Sequence, residues 1–168
     1  MANHSTTIAN IFIEKAKAEG KLLTQMQLQK LVYIAHGWGL AINGTPLTSD
    51  SPCAWDYGPV YPELWQSLRS YGRSAVSKMI KYGDYDRNMF DDNADDIAVA
   101  ELSQPESELV DKIFELYGHF HAFQLSALTH QAGTPWYKVF VENNNKKGVI
   151  SNNDIKDHFV ELAQQRAA

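Results

Sequence analysis

The stretch from Leu23 to Ile42 constrains this chain more than any other. Thr24 and Gln27 stand at the spacing of a capping box, in which the threonine oxygen accepts from the backbone of the third helical residue and the glutamine side chain reaches back. Leu23 is placed to staple onto Leu28 across that cap. Leu28, Leu31, Val32, Ala35, Trp38 and Ile42 then recur at helical spacing. A helix over residues 25–42 would be about 27 Å long at ~1.5 Å per residue, enough to cross a small domain. Gly37 and Gly39 interrupt it, each at roughly 1 kcal/mol relative to alanine. Another element lying against bare backbone would offset that cost; room for a partner is the alternative.

Helix starts with recognisable caps recur along the chain. Thr6 or Thr7 is expected to cap a helix from Ile8 to Ala18, with Lys15 and Lys17 at its negative end and Gly20 just beyond it. Pro62 starts a helix that Gly72 ends, with Leu64, Trp65, Leu68 and Tyr71 as its apolar side. Ser103 and Glu106 form a second capping box before Leu109, Val110, Ile113, Phe114 and Tyr117. Residues 122–131 read as helical through Leu125 and Leu128. Thr134-Pro135 restarts a short turn, and Ile150, Ser151, Asp154 and Ile155 open a C-terminal helix. Residues 75–82 fit a short helix or a strand equally. The expected fold is mainly α: one compact helical domain over residues 1–168, with six or seven helices and a small extended, β-hairpin-like segment around residues 45–57.

Size and composition agree with such a domain. At 168 residues a chain buries roughly 70% of the surface it would expose unfolded, so no disulfide or metal staple is needed. No apolar run approaches the ~20 residues of a membrane span, no secretory signal is visible, and Cys53 has no partner for a disulfide. These features lead to the expectation of a soluble cytoplasmic protein. The net charge of −5 is unevenly placed: Asp84 to Glu108 holds nine acids and one base, leaving +3 elsewhere. An acidic chain without a basic stripe is a poor match for phosphate backbones, so nucleic acid is an unlikely partner.

Several chemistries can be weighed residue by residue. His119, His121 and His130 could build a metal site, but the first two point to different sides of a helix or to the same side of a strand, and no thiolate or HExxH motif joins them. Asp84-x-Asp86-x-Asn88 copies the opening of a calcium loop; Met89 then stands where glycine is needed and Asp95 where glutamate is usual. Cys53 lacks a local base and reads as a small buried hydrophobe. His4, His36 and His158 add nothing at ligand spacing. No GxSxG, Walker or GxGxxG motif occurs. No cofactor and no enzymatic activity are expected. The densest cluster of unusual residues is Ala54-Trp55-Asp56-Tyr57-Gly58-Pro59-Val60-Tyr61-Pro62. Rigid turns with amphipathic aromatics can plug a core or present preorganised anchors to a partner. Trp55, Asp56, Tyr57, Pro59 and Tyr61 are the candidate partner-binding residues.

Three separated blocks resemble one family. Leu28-Gln29-Lys30-Leu31-Val32-Tyr33-Ile34-Ala35-His36-Gly37, then Ala54-Trp55-Asp56-Tyr57-Gly58-Pro59-Val60, then Leu125-Ser126-Ala127-Leu128-Thr129-His130 with Pro135-Trp136, are similar to the signature of the Panacea domain. That family includes SocA-like antitoxins and GepA-like phage-associated proteins. The resemblance runs from about Leu23 to Phe159. It implies a helical antitoxin that neutralises a cognate toxin by direct contact, and no catalytic residues. A rival within the family is an adaptor that delivers its client to a protease; a rival from another class is a small metal-dependent enzyme using the His119 region. The acidic segment suggests that a toxin partner would be basic. The resemblance leaves a homodimer open and fixes no interface for one.

Overall fold

The computed structural model describes residues 2–86 and 92–167. Its elements run α1 (Ser5–Ala18), β1 (Leu23–Thr24), α2 (Gln25–Asn43), β2 (Cys53–Trp55), β3 (Gly58–Val60), α3 (Pro62–Leu68), β4 (Ala75–Val76), α4 (Gln104–Tyr117), α5 (Ala122–His130), α6 (Pro135–Tyr137) and α7 (Asn152–Ala167). A π-helical turn, Lys138–Glu142, continues α6. The fold is mainly α, with seven α-helical segments and two two-stranded antiparallel sheets among the described residues. None of these helices is long and apolar enough to cross a membrane.

The central helix forms for the reasons its sequence suggests. Thr24 and Gln27 exchange both bonds of the capping box: Gln27 N donates to Thr24 Oγ1 at 3.3 Å, and Thr24 N donates to Gln27 Oε1 at 2.8 Å. Gly44 ends the helix at φ +72, a left-handed position that glycine takes without strain. Between Leu28 and Leu40 every residue is buried, so α2 has no solvent face over that length and is the axis of the core. Helices α1, α4, α5 and α7 pack around it. The glycines explain how closely. A Cβ on Gly37 would collide with the Phe159 ring of α7. On Gly39, it would stand 3.2 Å from Leu109 of α4. The helix thus exchanges intrinsic propensity for close approach of two neighbours; a buried Phe or Leu returns ~1.5–3 kcal/mol each.

One expectation is overturned and another shifts its bounds. Helix α1 begins at Ser5, three residues before Ile8, and its N-cap is His4 rather than Thr6 or Thr7. The imidazole accepts from the Thr6 backbone N–H, and both threonines lie buried within the first turn. The small hairpin expected around residues 45–57 is present and lies at its C-terminal end, Cys53–Val60, with Cys53 opposite Val60 and Trp55 opposite Gly58. The undecided segment at residues 75–82 contributes a strand: Ala75–Val76 pairs with Leu23–Thr24. The second capping box is present, Ser103 Oγ accepting from Glu106 N at 3.3 Å. Glu106 is consequently buried and leaves the acidic surface. Asn88 and Met89 of the calcium-loop comparison lie outside the described residues.

Candidate functional site

The three sequence blocks meet at the β2–β3 hairpin. Four alternate carbonyls from Trp55 to Tyr61 accept from side chains of three parts of the chain, α2, α5 and α6. Trp136 Nε1 donates to Trp55 O at 2.6 Å, and Ser126 Oγ to Tyr57 O at 2.7 Å. From α2, Lys30 Nζ donates to Pro59 O at 2.8 Å and Gln29 Nε2 to Tyr61 O at 3.2 Å. Gln29 also accepts from Tyr61 N at 2.8 Å, so one buried amide pairs this residue as a neighbouring strand would. On the outer edge the backbone of residues 147–150 closes the arrangement through Lys147 N to Ala54 O (2.6 Å), Ala54 N to Gly148 O (2.8 Å) and Ile150 N to Pro52 O (2.9 Å). An isolated two-stranded hairpin is marginal in water. Here the surrounding helices hold it.

Lys30 is the unusual member. It is 1% exposed and makes no ion pair with a carboxylate among the described residues. Burial lowers its pKa from the usual 10.5 to about 7. Gly58, at φ +112, leaves room for this amine, since a Cβ there would sit 3.1 Å from Nζ.

The candidate binding residues divide into two groups. Asp56 and Tyr57 form the exposed tip, with Tyr57 69% exposed. Trp55 is half-buried, edge-on to Trp65 at 5.5 Å and beneath the Lys147 ammonium at 5.6 Å. Pro59 and Tyr61 are interior and offer no side-chain surface to a partner. The Tyr61 hydroxyl meets Thr48 Oγ1 at 3.1 Å, and burial pushes the phenol well above its ordinary pKa. Beside the tip, α5 turns Phe123, Ala127 and Leu128 outward while Leu125, Ser126 and Thr129 face in. Phe123 is 81% exposed and lies one turn before Ser126, the residue that holds Tyr57. The sequence reading missed it, because the apolar residues of α5 occupy both faces and spacing alone does not say which is buried.

The other chemistries fare as follows. His119, His121 and His130 do not converge on a common ligand centre: His119 Nδ1 meets Lys21 Nζ at 2.7 Å, while the His130 ring lies edge-on to Trp136 at 5.3 Å. A metal-dependent enzyme built on the His119 region is therefore not supported by the placement of these rings. Burial raises the Cys53 thiol pKa, the opposite of what an activated nucleophile needs. His36 is fully buried with both nitrogens engaged: Nδ1 accepts from Thr48 N at 3.2 Å and Nε2 donates to Asn152 Oδ1 at 2.8 Å, an assignment fixed by the backbone donor. Burial lowers its pKa, and the Thr48 N–H requires an unprotonated Nδ1. A different set does converge. His4, Asp50 and Glu63 bring one nitrogen and two carboxylate oxygens within 4.8 Å of one another, and no sequence spacing announces it.

A cavity of about 90 Å³ opens between α5 and α7, with Tyr33, Leu128, Thr129, His158, Phe159, Leu162 and Arg166 among its walls. A wider hollow of about 340 Å³ lies beside α7 among Lys138, Glu142, Asp154, Asp157 and Glu161.

Comparison with known proteins matches the same blocks. The family model described as "Antitoxin SocA-like, Panacea domain" covers residues 28–137, from Leu28 in α2 to Tyr137 in α6. Antitoxin SocA of Caulobacter vibrioides (strain NA1000 / CB15N) is 29% identical over 160 residues, spanning 90% of this chain and 80% of that protein. No solved structure matches the chain. With a family model extending over more than half its length, and with the three matched blocks brought together on one hairpin, the chain belongs to the SocA-like antitoxin family that carries the Panacea domain.

Proposed function

We propose that the protein is a cytoplasmic antitoxin that neutralises a cognate, basic toxin by direct contact, without making or breaking a covalent bond. The contact surface is the hairpin tip, Trp55, Asp56 and Tyr57, continued by Phe123 and Leu128 of α5. Pro59 and Tyr61 belong to this reading as supports. The observation that carries it is the fixing of the hairpin carbonyls by Trp136, Ser126, Lys30 and Gln29. A tip held so firmly loses little conformational entropy on binding, and exposed aromatics on a rigid base have the makeup of interface anchors. Masking a toxin's working surface then silences it.

The test is co-expression with the adjacent open reading frame, read as growth rescue and co-purification. Tyr57→Ala and Phe123→Ala are exposed changes that leave the hairpin contacts in place. Each should weaken toxin binding at least tenfold, a loss of about 1.4 kcal/mol or more, with the melting temperature unchanged. Full neutralisation by the double variant would reject this surface. Toxin abundance in the same cells separates masking from delivery to a protease: masked toxin stays plentiful, delivered toxin disappears.

A further inference from the structure

We infer that His4, Asp50 and Glu63 form a divalent-cation site, best matched to zinc, that clips the start of α1 to the loop after α2 and to the start of α3. The ligand set is one imidazole nitrogen and two carboxylate oxygens, with all three atoms within 4.8 Å of one another. His4 and Glu63 are 59 positions apart, so the fold and not the chain brings them together.

The spacing is close to what zinc requires. With ligand bonds near 2.1 Å, the ligand atoms of a tetrahedral site stand about 3.4 Å apart. His4 Nε2 and Asp50 Oδ2 are 3.7 Å apart. Glu63 is in hydrogen-bond contact with Nε2 and needs only to draw back, which its half-exposed side chain can do. Imidazole with two carboxylates suits zinc and leaves a fourth position for water.

The surrounding contacts orient the ligands independently of any ion. Asp50 Oδ1 accepts from Ser5 N at 2.8 Å and Oδ2 from Ser5 Oγ at 2.5 Å. The His4 ring stacks on Tyr85 at 4.4 Å, and its Nδ1 lies 2.8 Å from Thr6 Oγ1. With the ion bound, the ring proton moves to Nδ1 and goes to Thr6 Oγ1, so that Nδ1 gives up the Thr6 N–H it accepts in the ion-free cap and Nε2 has a free lone pair. Outer partners of this kind are the usual support of a metal-bound histidine. A neutral ring, by contrast, has one Nε2 proton for two facing carboxylates, and only Glu63 can take it.

Chelator-stripped full-length protein, titrated with Zn²⁺ by calorimetry and followed by thermal melting, tests the site. Wild type should bind one ion saturably and melt at a higher temperature. Glu63→Gln and His4→Asn should each weaken that binding at least tenfold; asparagine caps α1, so the second variant keeps the helix start. Co²⁺ in place of zinc should give the strong visible bands of a four-coordinate site in wild type and lose them in both variants. Absence of stoichiometric binding to wild type overturns the site. So does unchanged binding in both variants, which would move the ion to other surface histidines. A nitrogen NMR spectrum showing His4 as an imidazolium that zinc does not perturb would also overturn it, leaving an ordinary ion pair.

Discussion

At the scale of single residues, Lys30 carries the sharpest prediction. The unfolded chain holds its proton up to the ordinary lysine pKa of 10.5, whereas the folded chain releases it near 7. Below pH 7 both states are protonated and the full cost of burying the charge is present. Between pH 7 and 10.5 the unfolded state binds the extra proton, so this residue's contribution to stability rises with pH by about 1.4 kcal/mol per unit. Urea unfolding from pH 7 to 9.5 should show wild type gaining on Lys30→Met at roughly that slope. A stability difference between the two that stays flat across this range would mean that the amine is charged in the fold. Lysine remains suited to the position for its donor: Pro59 O is buried with it, and methionine leaves that oxygen unpaired.

At the scale of elements, what a sequence reveals depends on how far apart the partners lie. Thr24 with Gln27 and Ser103 with Glu106 announce their helices because every atom of a cap lies within four residues. His4 is less visible as a cap, since an imidazole only mimics the usual hydroxyl or carboxylate. The glycines of α2 signal close packing, but Phe159 and Leu109 cannot be named from their spacing. The hairpin is legible as a rigid, aromatic turn. Its inward and outward faces are not, because they are decided by Lys30, Ser126 and Trp136, each far away in the chain. Strand Ala75–Val76 is ambiguous alone and is settled by its pairing with Leu23–Thr24. The His4–Asp50–Glu63 set has no local signal at all. The hairpin's dependence on α2 can be measured. Gln29→Leu leaves Tyr61 N buried and unpaired, while Tyr61 O keeps the Trp65 N–H at 2.9 Å, and should cost roughly 1–3 kcal/mol. In hydrogen exchange the loss of protection should centre on residues 53–61, with α1 and α4, whose Phe12 and Phe114 rings lie 6.3 Å apart, least affected. Uniform loss across the chain would show that the hairpin has no separate stability.

For the whole molecule, charge distribution bears on encounter rather than on grip. The acids between Asp84 and Glu108, apart from the buried Glu106, give one part of the sequence a strong negative bias. With a basic toxin, raising salt from about 50 to about 500 mM should slow association several-fold and leave dissociation nearly unchanged. Stopped-flow rates that ignore salt would remove this segment from the encounter. The hold on the hairpin bears on a different matter. Trp136, Ser126, Lys30 and Gln29 all grasp main-chain oxygens, an atom that every amino acid carries. Neither Asp56 nor Tyr57 has a positive φ. The scaffold therefore makes almost no demand on the identity of those two letters, and a lineage can rewrite them, changing its quarry while the trap beneath stays as it was.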